Sequence, residues 1–164
     1  MINGDDRLQW FKDNLKDLMD YNEVTVSDMS KHCEISTQRF NNYLYGRTLP
    51  QLWTLVIIAD FLETTTNELL DFDEADDDAL LSYDPYTLFE DEEEFVMHVR
   101  NRIKQCMLDN NIDISYLSEE TGFNRLTIKR WLGLSGNRKD LPRTADFIVI
   151  CDALGCTPSD LLGY

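Results

Sequence analysis

Residues 122–131, GFNRLTIKRW, place Arg125, Lys129 and Arg130 at spacings that a helix would bring together. At about 100° per residue, Arg125, Leu126, Lys129 and Arg130 share one arc of such a helix, and Ile128, Trp131 and Leu132 share the opposite one. One arc is core and the other is basic, with Gly133 leaving room for a close approach. Such an arc suits recognition of an anionic surface rich in hydrogen-bond acceptors. Arginine grips guanine O6 and N7 through two parallel hydrogen bonds, and lysine does so less rigidly or holds a phosphate. Leu126 could meet a thymine methyl, and Arg138, Lys139 and Arg143 could hold flanking phosphates. The plainer reading of the same residues is a solvated, cation-coated helix face.

An earlier stretch repeats the geometry with other chemistry. Thr37, Gln38, Asn41, Asn42 and Tyr45 fall on an outward arc, and Phe40, Tyr43 and Leu44 on an inward one. Glutamine and asparagine can pair twice with adenine N6 and N7. Only Lys31, Arg39 and Arg47 stand nearby for phosphates, and phosphate neutralisation supplies much of the affinity for DNA. The first stretch is therefore expected to bind DNA weakly alone, or to dock a protein.

Other chemistry has little to stand on. The four cysteines, Cys33, Cys106, Cys151 and Cys156, fall at no CxxC spacing, and the two histidines, His32 and His98, are far apart. Reduced, mostly buried thiols are expected, with no metal site and no cofactor. No Ser/His/Asp grouping or phosphate-cradling glycine loop appears, so no catalytic residues are expected. The start, MINGDDRLQWF, does not read as a signal peptide, and no run of apolar residues is long enough for a membrane span. A cytoplasmic protein with no membrane partner is the expectation.

A net charge of −16 conflicts with nucleic-acid binding until it is mapped along the chain. Residues 1–70 carry 6 basic and 11 acidic side chains, residues 71–94 carry 12 acidic and none basic, and residues 95–164 carry 9 basic and 8 acidic. The excess is thus concentrated in one acidic segment, and whole-chain charge says little about its flanks. Like charges favour an extended spacer, yet Leu80, Leu81, Tyr83, Tyr86, Leu88 and Phe89 are many large apolar residues for one. Residues 82–90 are expected to pack against one or both flanks.

The elements that must position the two arcs come as a duplication. With a shift of 88 residues, VTVSDMSKHCEISTQRFNNYL (24–44) lies over IDISYLSEETGFNRLTIKRWL (112–132), with Val24 on Ile112, Val26 on Ile114, Met29 on Leu117 and Phe40 on Ile128. Upstream, Phe11, Leu15, Leu18 and Met19 form an i, i+4, i+7, i+8 stripe and match Val99, Ile103, Cys106 and Met107. A four-residue insertion follows the second arc, after which Leu49-Pro50 matches Leu141-Pro142 and Leu69-Leu70 matches Leu161-Leu162. Each copy reads as five short helices. Thr25 and Asp113 are expected caps of the second helix and Ser36 and Asn124 of the third, with a tight break at Glu34 or Gly122 between them. Two helices joined by so short a turn make a helix-turn-helix.

Each copy resembles the lambda-repressor-like, or XRE/Cro-type, helix-turn-helix domain. The likeness rests on the helix-turn-helix register, the step from Gly46 to Pro50, and the endings IADFLETTTNELL and ICDALGCTPSDLL. It implies an all-α protein with two tandem five-helix domains, 1–72 and 92–164, joined by an acidic linker, 73–91, and a double-stranded DNA operator as partner. It implies a third helix in the major groove, with Thr37, Gln38 and Asn42, and their counterparts Arg125, Leu126 and Arg130, where relatives read bases. A transcriptional regulator, more simply a repressor, follows as the expectation. The first residue of the second helix, commonly a phosphate-holding glutamine, is here Val26 or Ile114, Glu34 replaces the turn glycine, and Leu44 and Leu132 replace a common acid. These departures favour the rival reading, a protein-binding module such as an antirepressor, antitoxin or phage-type inhibitor. Homodimerisation, or a protein partner through the N-terminal copy, stays open.

Overall fold

The computed structural model describes residues 4–72, 89–136 and 140–163. All regular structure among them is helical, and the chain divides into two compact units. Unit 1 holds α1 (Gly4–Tyr21), α2 (Val26–His32), α3 (Thr37–Leu44), α4 (Leu52–Phe61) and α5 (Thr66–Leu70). Unit 2 holds α6 (Glu92–Asp109), α7 (Ile114–Thr121), α8 (Arg125–Trp131), α9 (Thr144–Leu154) and α10 (Pro158–Leu162). No helix among the described residues is long and apolar enough to cross a membrane.

The helices begin where side chains can satisfy otherwise orphaned backbone N–H groups. Thr25 and Asp28 form a reciprocal capping box at α2, Asp113 accepts from Tyr116 N at 2.8 Å, and Asn124 accepts from Leu126 N at 2.8 Å. Ser36 accepts from Arg39 N at 3.2 Å. All four caps therefore match the sequence reading. Pro50 and Pro142 each precede the fourth helix of their unit by two residues.

In unit 1, α1 packs on α3 and α5, α2 on α3 and α4, and α4 on α5. The core gathers Phe11, Leu15, Met29, Phe40, Leu55, Ile58 and Leu69, each fully buried. In unit 2, α7 packs on α8 and α9, and α10 on α6 and α9, around Phe95, Val99, Leu117, Phe147 and Leu162. Each long first helix is tied to the fifth by a side chain. Asn14 Nδ2 donates to Glu68 O at 2.8 Å, and Arg102, at the equivalent position, donates to Asp160 O at 2.8 and 2.9 Å. Arg7, itself buried, donates to the carbonyls of Leu70 and Asp71 at 2.9 and 2.8 Å and lies over the Phe72 ring at 4.1 Å.

Some positions paired as core differ. Val24, Val26, Ile112 and Ile114 are only half-buried, because they stand at the exposed starts of α2 and α7. Leu18 and Leu44 are half-buried as well, and so are two thiols, Cys106 and Cys156. Of residues 82–90, Phe89 is buried against Phe95 and His98, Glu90 is exposed, and the others lie outside the described residues.

Candidate nucleic-acid interface

Helix α8 is amphipathic in the register its sequence requires. Ile128 and Trp131 are buried, while Arg125, Leu126, Lys129 and Arg130 are exposed, Leu126 to 60%. The turn before it is held rigid. Gly122 caps α7 in a left-handed conformation (φ 74°), Ser118 Oγ donates to Phe123 O at 2.6 Å, and Phe123 meets Trp131 edge-on at 5.1 Å. Three residues thus join α7 to α8, and α8 points its basic side away from the core.

The far end of α8 is anchored by a residue that the sequence reading passed over. Arg100, on α6, is 3% exposed and donates to three carbonyls: Trp131 at 2.9 Å, Arg130 at 3.4 Å and Asp140 at 2.9 Å. Burial pulls its guanidinium below the ordinary range, and Asp140 opposes that pull. One side chain therefore fixes the last turn of α8 and the far end of the loop beyond it. The signal lay in the spacing, for Arg100 interrupts the stripe Val96, Val99, Ile103, Met107 at a position that must face inward.

Gly133 plays a part beyond the one expected. It follows α8 with φ 72°, and a Cβ there would stand 3.1 Å from Arg100 Nη1. Its missing side chain makes room for Arg100. Beyond it, a Cβ on Gly136 would lie 3.0 Å from Arg130 Cγ, so the loop backbone runs against the Arg130 stem. Arg138 and Lys139 lie outside the described residues, while Arg143 is exposed at the start of α9.

In unit 1, Thr37 and Gln38 are exposed on α3, Asn41 and Asn42 are half-buried, and Tyr45 is 64% exposed. Phe40 and Tyr43 are buried behind them. Arg47 donates to Asn42 Oδ1 at 3.3 Å and lies over Tyr45 at 5.4 Å, so Asn42 would have to exchange a partner to meet a base. Both units thus bring their expected residues to one side of the third helix, apart from Arg138 and Lys139 in the undescribed loop and Arg143 at the start of α9.

The family model for the Cro/C1-type helix-turn-helix DNA-binding domain matches the chain twice, over residues 14–75 and 102–164. The chain belongs to this Cro/C1-type family. No curated protein and no solved structure matches it. With both domains of one family, differences between them become informative.

The turn between the second and third helices holds a left-handed residue in both domains, supplied by different residue types. Gly122 has φ 74° and its counterpart Glu34 has φ 53°. Glu23, Glu63 and Asp71 are likewise left-handed where unit 2 has Asn111, Gly155 and Gly163. The N-terminal domain thus holds four acidic side chains in a conformation that penalises a Cβ.

Both domains also share an apolar groove beside the start of the second helix. Lys12, Lys16, Met19, Val24, Val26 and Leu44 line it in unit 1, and Lys104, Met107, Ile112, Ile114, Leu132 and Leu134 in unit 2. Lys16 and Lys104 occupy equivalent positions, two cations near the helix-turn-helix that the sequence reading did not single out.

Proposed function

We propose that this protein is a sequence-specific double-stranded DNA-binding transcriptional regulator, acting as a repressor by occupying its operator. The domains are assigned to 1–72 and 92–164, with 73–91 as an acidic linker. The observation that carries the reading is the exposed strip Arg125, Leu126, Lys129 and Arg130, backed by buried Ile128 and Trp131. In a major groove this strip offers two bidentate guanine readers, a methyl contact and a phosphate or base contact. Arg138, Lys139 and Arg143 are assigned to flanking phosphates. In unit 1, Thr37, Gln38, Asn41 and Asn42 are assigned to the weaker, polar half of an asymmetric site, read one groove away at about 34 Å.

Selection of sites from random duplex DNA, with the full chain and with each domain's third-helix arc disabled, tests the reading. One asymmetric motif, richer in guanine contacts on the unit 2 side, is the expected result. A log–log salt slope near −4.5, from about −0.9 per phosphate and five phosphates, should accompany it. Failure to enrich any motif would sink the proposal.

A second reading applies to unit 1 alone. Its arc is neutral, Arg47 already holds Asn42, and Tyr45 stands 64% exposed beside the groove. These favour a protein-docking N-terminal domain, in which case mutation of Gln38 leaves DNA affinity unchanged.

A further inference from the structure

Three of the four cysteines meet in unit 2, although the sequence spaces them widely. Cys106 lies on the last turns of α6, Cys151 in α9, and Cys156 in the loop between α9 and α10. The chain turns back after α9, so that Cys156 N–H donates to Cys151 O at 3.1 Å and its Sγ lies 3.8 Å from the same oxygen. The Cys156 sulfur is within hydrogen-bonding reach of both other thiols. Asn110 Nδ2 fixes the third corner, donating to Cys106 O at 2.9 Å and reaching its Sγ at 3.5 Å. At the matching positions unit 1 has Leu18, Ala59 and Thr64, so the cluster belongs to one copy. The remaining cysteine, Cys33, is buried in unit 1.

The three thiols are not alike. Cys106 and Cys156 are half-buried, whereas Cys151 is fully enclosed. Hydrogen bonds from Cys151 and then Cys106 hold Cys156 below the ordinary thiol range, against burial and the nearby Asp160. Burial pushes Cys106 up to about 11 and Cys33 up to about 12, and raises Cys151 well above the usual value. A thiolate-prone sulfur beside a protonated, reachable one is the pairing of an attacking and a resolving cysteine.

We propose that Cys156 is a site of oxidation by hydroperoxides, closed by Cys106 into an intramolecular disulfide. The Cys156 thiolate attacks the outer peroxide oxygen, the S–O bond forms as the O–O bond breaks, and the alkoxide or hydroxide leaves and takes up a proton. Sulfur loses two electrons and the peroxide gains them, leaving a sulfenic acid. The Cys106 sulfur then attacks that sulfur, forming S–S and expelling hydroxide, which leaves as water with the Cys106 proton. The inference is independent of DNA recognition.

The full reduced chain is treated with dilute hydrogen peroxide, remaining thiols are blocked, and peptides are mapped by mass. The expected product is a Cys106–Cys156 cross-link lighter by two hydrogens, with Cys156 consumed roughly tenfold faster than Cys33. In Cys106→Ser and Cys106→Ala the cross-link is lost and a 1,3-diketone traps the sulfenic acid on Cys156. Equal rates for Cys156 and Cys33, or cross-links only between chains, would overturn the proposal. A bond to Cys151 in the unaltered chain would overturn the role given to Cys106.

Discussion

Arg100 Nε donates to the carbonyl of Trp131 at 2.9 Å, tying the interior of α6 to the last residue of α8. The guanidinium thereby satisfies carbonyls at a helix end, where the backbone leaves acceptors without intrahelical partners. It also links α8 to Asp140, across the loop that carries Arg138 and Lys139. Arg100 is itself buried, yet it sets where the last turn of α8, with Arg130, stands.

Arg100→Ala should destabilise unit 2 by about 2–3 kcal/mol, because charge-assisted bonds are lost and the buried Trp131 carbonyl loses its guanidinium donor. Hydrogen exchange on the full chain should show faster exchange at the end of α8, with α3 unchanged. Uniform acceleration across both units would contradict this local role.

Arg125→Ala and Arg130→Ala should each weaken cognate DNA binding by about 1–3 kcal/mol and relax preference at one base pair. Arg143→Ala should instead weaken all sequences alike and lower the salt slope by about one. Fluorescence anisotropy on cognate and scrambled duplexes across a salt series separates the two behaviours.

Glu34→Gly should raise the stability of unit 1 by about 1 kcal/mol, since φ 53° penalises its Cβ and glycine removes the penalty. The reverse change in unit 2, Gly122→Ala, should cost about 1 kcal/mol. No atom lies within 4 Å of a Cβ built there, so that cost isolates the backbone term. Urea melts of the two variants should therefore shift in opposite directions.

Unit 2 should lose stability as pH falls below 6.5. Burial, with a smaller contribution from Arg102, depresses the His98 pKa below that value. The unfolded chain therefore takes up a proton near pH 6.5 while the folded chain resists until a lower pH, so acid favours unfolding across that window. His98→Gln should flatten this part of the stability–pH curve, read as thermal midpoints of the full chain. An unchanged slope would assign the effect to other groups.

The duplication was legible because it is written in apolar periodicity, which burial of one face of each helix requires in both copies. Phe11, Leu15 and Met19 against Val99, Ile103 and Met107 gave the first helices, and the caps at Thr25, Ser36, Asp113 and Asn124 gave the starts of the next two. The basic strip on α8 was legible for the same reason, since Ile128 and Trp131 fix which side is buried. The fit of Arg100 against Gly133 was not legible, because a one-dimensional wheel shows which way a position faces but not what occupies the space. Arg100 was passed over because a charged residue in an apolar stripe makes sense only once its carbonyl partners are known.

By itself, then, the sequence determined the elements, their order, the two copies and the basic face, because each depends on contacts within a few turns of chain. Only the tertiary structure decided what depends on distant segments converging. Arg100 reaches the end of α8 and Asp140 from 30 and 40 residues away. Cys106, Cys151 and Cys156 form one cluster through side-chain hydrogen bonds across some 50 residues of chain. Spacing along a chain records local helical geometry, whereas burial between helices far apart in sequence leaves no fixed spacing to read.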